Sequence, residues 1–104
     1  MSSASFSLKD IYRELSHQIP TALKNGWGIN SERSYIDSSR STGAVEFDWK
    51  SHRLTVRFAV SDNFEPIFDA AFDNEFPPKE FESLASLKDW VIEKEREIEN
   101  MIKP

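Results

Sequence analysis

The stretch VEFDWKSHRLTVRFAV, residues 45–60, decides the fold of this chain. Apolar residues alternate with more polar ones over residues 45–50 and again over 54–60, on the two sides of a short polar break. Such alternation is typical of strands that bury one face, because successive side chains of a strand point to opposite faces. The pattern therefore predicts a β-hairpin with an apolar face and a polar face.

The hairpin register follows from the position of its turn. If residues 51–52 form a two-residue turn, Trp49 pairs with Leu54, and the remaining apolar residues of both strands meet on the same face. Glu46 then lies opposite Arg57 on the polar face. A slip by one residue would expose the apolar side chains of one strand to water, which favours this alignment.

The segment that follows the hairpin combines aromatic rings with carboxylates. Residues 62–82 contain seven carboxylates against one lysine, and residues 64–73 fit both a helix face and a strand alternation. We favour a third strand over 66–73, because an antiparallel pair alone is only marginally stable. The five phenylalanines of this segment are Phe64, Phe68, Phe72, Phe76 and Phe81. They predict either a core strand with an acidic outer face or a surface for a basic partner.

The tetrapeptide SLKD occurs twice, at residues 7–10 and 86–89, and predicts two helix starts. A serine hydroxyl at such a position accepts a hydrogen bond from the backbone N–H three residues on, and the carboxylate reaches back. Apolar residues at helical spacing accompany both tetrapeptides. They are Leu8, Ile11, Tyr12, Leu15, Ile19 and Leu23 in the first helix, and Leu84, Leu87, Val91, Ile98 and Met101 in the last. The glutamates at 93, 95, 97 and 99 are predicted on the outer face of the last helix.

The connections complete the outline. Residues 1–6 are predicted to be flexible, and the Ser-rich residues 30–43 to form a loop that can include one short edge strand. Arg33 and Arg40 in this loop could contact a phosphate or an acidic partner, although a solvated loop is the simpler interpretation. Trp27 is predicted to cap the core.

Length and composition predict a single domain. A chain of 104 residues can bury one core, and the absence of cysteine excludes thiolate metal sites, redox motifs and cysteine nucleophiles. We expect residues 1–104 to form a small α+β domain in the order α-β-β-β-α. Its three-stranded antiparallel sheet is flanked by an N-terminal and a C-terminal helix. With no leader at residues 1–7 and no apolar run of about 20 residues, we expect a cytoplasmic protein without membrane contact.

The sequence shows no pattern that favours catalysis. His17 and His52 lack neighbours that would make a catalytic triad, a glycine-rich phosphate loop is missing, and the carboxylates do not follow a calcium-loop spacing. We therefore expect no enzyme activity, no catalytic residues, no metal and no cofactor.

The charge distribution leads to the functional hypothesis. Residues 1–61 hold eight basic and six acidic side chains, whereas residues 62–104 hold five and twelve. This asymmetry argues against direct nucleic-acid binding and favours a basic protein partner, although simple solubility explains it as well. We predict a small acidic binding or inhibitor module of the toxin-neutralising, chaperone-like or nucleic-acid-mimicking kind. Its predicted partner-binding residues are Glu65, Asp69, Asp73, Glu75 and Phe76. The alternative is an assembly subunit, for example a homodimer, that pairs through a sheet edge or the last helix.

Overall fold

Two helices and six strands follow one another in the part of the chain that the computed structural model describes, residues 7–60, 66–73 and 75–102. The helices are α1 (Leu8–Ala22) and α2 (Leu84–Ile102). The strands are β1 (Gly28–Ile29), β2 (Tyr35–Asp37), β3 (Thr42–Trp49), β4 (His52–Val60), β5 (Pro66–Phe72) and β6 (Lys79–Phe81). No described helix is long and apolar enough to cross a bilayer.

All six strands join in one antiparallel sheet of order β1-β3-β4-β5-β6, in which β2 also pairs with β3. The two helices and this sheet make a small compact α+β domain, as predicted. The prediction of three strands is wrong, because the short strands β1, β2 and β6 extend the central β3-β4-β5 meander. Two- and three-residue strands are too short to show an alternation in sequence, and they form because β3 and β5 offer free hydrogen-bonding edges.

The β3-β4 hairpin turns one residue earlier than predicted. Its turn consists of Lys50 and Ser51, and Trp49 pairs with His52. Lys50 adopts a φ of 55°, in the left-handed region that tight turns need. The predicted register is therefore wrong by two residues, but an even shift leaves every side chain on its predicted face.

The two faces of the sheet differ in composition. The inner face carries the apolar residues of the alternation and packs against both helices. Its buried residues are Val45, Phe47, Leu54, Val56, Phe58, Phe68, Ala70, Phe72 and Phe81, which contact a helix stripe of Ile11, Leu15, Ile19, Leu87, Val91 and Ile98. The predicted strand over the aromatic segment is confirmed as β5. The predicted core position of Trp27 is also confirmed, since its exposed fraction is 3%.

The helix caps agree with one of the two predicted starts. Ser7 caps α1, and its hydroxyl accepts a hydrogen bond of 3.1 Å from the backbone N–H of Asp10. The second predicted start, at residues 86–89, is wrong. The α2 helix begins earlier because the Ser83 hydroxyl accepts a hydrogen bond of 3.2 Å from the Ser86 N–H and closes the first turn there.

Two predicted connections have different outcomes. Residues 1–6 lie outside the described residues, so their flexibility stays a prediction. The Ser-rich residues 30–43 contain β2, which is the predicted edge strand, and they overlap the start of β3. The loop proper is therefore shorter than predicted.

Glu95 does not lie on the outer face of α2, where the sequence interpretation placed it. Its exposed fraction is 2%, and its carboxylate accepts hydrogen bonds from the backbone N–H groups of Lys24 and Asn25 at 3.0 Å. The Asn25 side chain donates to it at 2.8 Å and the Trp27 indole at 3.1 Å. Glu95 follows Val91 by four residues, so the helical period already places it on the buried face. The carboxylate joins α2 to the chain that leaves α1.

Replacing Glu95 by alanine should strongly destabilise the fold. The change leaves buried N–H donors without an acceptor, and each unsatisfied donor costs about 1–3 kcal/mol. We expect Glu95→Ala to lower the free energy of unfolding by about 3 kcal/mol or more in urea titrations followed by tryptophan fluorescence. Glu93→Ala, at an exposed position of the same helix, is the matched control and should stay within about 0.5 kcal/mol. Equal effects of the two changes would contradict this role of Glu95.

Packing also leaves no space for a side chain at Gly43. A Cβ atom at Gly43 would overlap the Phe58 ring and lie 2.8 Å from the Tyr35 carbonyl oxygen. Because Phe58 is buried, Gly43→Ala should lower the free energy of unfolding by about 1–3 kcal/mol. At Gly28 an added Cβ meets nothing within 4 Å, so Gly28→Ala should change stability by less than about 0.5 kcal/mol. Thermal unfolding of both variants checks the difference, and comparable losses would refute it.

Candidate functional site

The face of the sheet opposite the helices is the main exposed surface of the fold. Within residues 7–60, 66–73 and 75–102, both helices pack on the inner face, so no helix covers this outer face. The pairing of the strands places the following residues there: Thr42, Ala44, Glu46, Asp48, Arg53, Thr55, Arg57, Ala59, Ile67, Asp69 and Ala71. Several of these side chains are small, so few side chains protrude from the middle of the outer face.

Phe76 is the most exposed large apolar side chain among the described residues. Its exposed fraction is 90%, and it belongs to the connection between β5 and β6. Together with Glu75 and Asp69 it lines a shallow cavity of about 240 Å³ on the outer face, beside Ala71 and Thr55. The structure thus brings together three of the predicted partner-binding residues, namely Asp69, Glu75 and Phe76.

Asp69 is not a free carboxylate. The Arg57 guanidinium donates to it through two hydrogen bonds, Nε to Oδ1 at 2.8 Å and Nη2 to Oδ2 at 3.0 Å. These hydrogen bonds raise the pKa of Arg57 above its ordinary value, so Arg57 stays charged at any pH at which the protein is handled. The sequence interpretation paired Arg57 with Glu46, whereas the observed register puts Ala44 opposite Arg57 on β3 and Asp69 opposite it on β5.

Asp73 lies away from the other predicted residues. Its Oδ2 is 2.9 Å from His52 Nδ1, and its Oδ1 accepts a 2.9 Å hydrogen bond from the backbone N–H of Arg53. The backbone of Asp73 has a φ of 53°, in the left-handed region. Its side chain lines a different cavity of about 500 Å³ at the hairpin end, together with Asp48 and Lys50. Asp73 therefore closes the end of the sheet instead of contributing to the surface around Phe76.

A second shallow cavity lies on the outer face, on the other side of the Arg57–Asp69 pair. It measures about 360 Å³, and its lining includes Tyr35, Arg40 and Ile67. Arg57 and Asp69 line both this cavity and the one beside Phe76. We call the two the Ile67 cavity and the Phe76 cavity.

Glu46 is a buried carboxylate of the outer face, with an exposed fraction of 6%. Arg53 Nε lies 3.2 Å and Arg33 Nε 3.7 Å from its Oε2, and the Thr55 hydroxyl donates to Oε1 at 3.3 Å. The Ser34 hydroxyl accepts a hydrogen bond from the Glu46 backbone N–H at 3.0 Å. These contacts fasten the loop between β1 and β2 to the outer face at Glu46.

The predicted site residues have three different outcomes. Asp69, Glu75 and Phe76 are close together, Asp73 is separate, and Glu65 lies outside the described residues. The sequence interpretation missed Ile67 and Tyr35 of the Ile67 cavity, which are 46% and 51% exposed. For Ile67, the strand alternation of 66–73 already gave a signal, because it points Ile67 away from the face of Phe68 and Phe72.

No group of three or more potential metal ligands occurs among the residues that the structure describes. Comparison of the chain with protein-family models, curated proteins and solved structures yields no match. The contacts, exposure and charges of the chain's own residues therefore carry the functional argument.

The contrast between Phe76 and Phe72 can be measured directly. Phe72 is 4% exposed and contacts Trp27 and Trp90, so Phe72→Ala should lower the free energy of unfolding by about 3–5 kcal/mol. Phe76→Ala should change it by less than about 0.5 kcal/mol, because almost all of the side chain is in water. Chemical denaturation of the two variants checks this, and a large loss for Phe76→Ala would place that ring in the core.

Proposed function

We propose that this chain is a non-enzymatic protein-binding or inhibitor module that binds a basic protein partner through the outer face around Phe76. A toxin-neutralising, chaperone-like or nucleic-acid-mimicking protein acts in this way. Direct nucleic-acid binding is not expected, because phosphates would meet a surplus of carboxylates. A chain without cysteine suits the reducing cytoplasm, where we expect it to act.

The exposure of Phe76 is the observation that carries this proposal. Aromatic rings contribute disproportionately to protein interfaces, and a ring with 90% of its surface in water has that surface available for burial by a partner. The ring stands at the rim of the uncovered outer face, beside the low surface formed by Ala71 and Thr55. This combination of a protruding ring and a flat surface suits a protein partner better than a small molecule.

The charge of the second half of the chain supports a basic partner. Residues 66–102 contain ten carboxylates against four basic side chains. Three of the ten are used within the fold, since Asp69 binds Arg57, Asp73 contacts His52 and the Arg53 N–H, and Glu95 is buried. The remaining surplus would raise the rate at which a basic protein meets this surface, and salt would weaken the effect.

A second candidate function is self-assembly through the edge of the sheet. β6 ends the sheet order, and its three residues pair with β5 on one side only among the described strands. An added strand from another copy could continue the sheet there. Binding of this kind should resist salt, in contrast to binding of a basic partner.

Capture experiments with single-site variants test the proposed function. The immobilised protein should retain a basic protein from native lysate at low salt, and moderate salt should weaken the retention. Phe76→Ala and Glu75→Gln should each lower the affinity for the identified partner by at least about tenfold, measured by calorimetry. Asp73→Asn is unsuitable as a site variant, because it would also disturb the contacts with His52 and Arg53.

Met101→Ala is the matched control for the loss of an exposed apolar side chain. Met101 is 78% exposed and lies near the end of α2, so its replacement should leave capture unchanged. If Phe76→Ala binds the partner as well as the unmodified protein, the proposed site is wrong. A retained protein without basic character would refute the predicted partner class.

A further inference from the structure

We infer that the outer face is self-complementary and pairs with the outer face of a second copy of this chain. The two copies would be related by a twofold axis that lies in the plane between the two faces, over the Arg57–Asp69 pair. This inference goes beyond the proposed function and concerns the free protein, before any other partner binds.

The shape of the outer face provides the first argument. The Phe76 cavity and the Ile67 cavity share Arg57 and Asp69 and lie on opposite sides of that pair. A twofold rotation about the pair brings Phe76 of one copy over the Ile67 cavity of the other, and the reverse contact forms at the same time. The Ile67 cavity, of about 360 Å³ and rimmed by the exposed Tyr35 and Ile67, offers an apolar surface for a phenyl ring.

The charges provide the second argument. Glu75 lines the Phe76 cavity, and Arg40 lines the Ile67 cavity. The same rotation therefore brings each Glu75 toward an Arg40 of the other copy, so both ends of the interface become charge-complementary. Arg40 is available for this contact, because its side chain is 82% exposed and its Nε makes only a long contact of 3.9 Å with Oδ2 of Asp37.

The residues at the centre of the proposed interface also allow two copies to pack together. Arg57 and Asp69 satisfy each other within one copy, so no uncompensated charge lies at the centre when the faces meet. The neighbouring side chains Thr55, Ala59 and Ala71 are small, which allows two sheets to approach to the usual distance of about 10 Å. A basic partner would have to displace the second copy, so the two interactions would compete for the same face.

A charge exchange tests the twofold arrangement. We expect the unmodified protein to dimerise in sedimentation equilibrium, and Arg40→Glu or Glu75→Arg alone to weaken the dimer by at least about tenfold through like-charge contacts. The double variant Arg40→Glu with Glu75→Arg should recover the dimer, because both contacts reappear with reversed charge. Phe76→Ala should weaken the dimer in every background, and thermal unfolding should show that each of these variants stays folded.

The outcomes separate this inference from the proposed function. A chain that is monomeric at about 1 mM, or a dimer that none of the single changes weakens, would overturn the twofold arrangement. A double variant that stays as weak as the single ones would do so too. Capture of a basic partner should be lost in Glu75→Arg and stay lost in the double variant, because restoring the dimer does not restore a negative charge at position 75. Arg40→Glu should dissociate the dimer without loss of capture, so each proposal can fail alone.

Discussion

The buried carboxylate of Glu95 is the interaction on which the arrangement of the two helices depends. It accepts hydrogen bonds from Lys24 and Asn25, the first residues after α1 and its cap, and from the indole of Trp27. Backbone N–H groups of residues that follow a helix need acceptors when they are shielded from water. Here one side chain of α2 supplies the acceptor oxygens. In the described part of the chain no salt bridge involves Glu95, and its hydrogen-bond donors are backbone amides, a side-chain amide and an indole.

The position of Trp27 transmits this constraint to the sheet. Its ring centroid lies 5.6 Å from that of Trp49 on β3 and 5.6 Å from that of Phe72 on β5. The ring centroids of Phe72 and Trp90 of α2 are 5.4 Å apart, so a series of aromatic contacts joins the helix to the strands. Because these contacts lie on the inner face, most rings of the aromatic segment are buried in the core, and Phe76 alone among the described phenylalanines is exposed.

Some carboxylates of the acidic segment make contacts within the sheet, so only part of this segment is available to a partner. Asp69 and Asp73 serve the sheet, one through Arg57 across two strands and the other through His52 and Arg53 at the hairpin end. The charge of Asp69 is offset by Arg57 and the carboxylate of Asp73 accepts hydrogen bonds within the sheet, whereas Glu75 lies beside an exposed ring. The proposed binding surface is therefore smaller and more mixed in charge than a count of carboxylates suggests. Shape and position, more than net charge, define it.

The sequence by itself determined the central hairpin, the strand over 66–73, the first helix cap and the faces to which these side chains point. Local periodicity and capping chemistry specify these features, and an even shift of register does not alter them. Tertiary structure alone decided the register, the three short strands and the hydrogen-bond partners of Glu95, Asp69 and Asp73. These depend on donors and edges that are distant along the chain, such as Trp27 for Glu95 and Arg57 for Asp69, and a local pattern carries no information about them. Asp69, Glu75 and Phe76 are close in sequence and line one cavity, although Asp73 between them does not. The cavity lined by Tyr35, Arg40 and Ile67 forms only where β2, the loop after it and β5 meet.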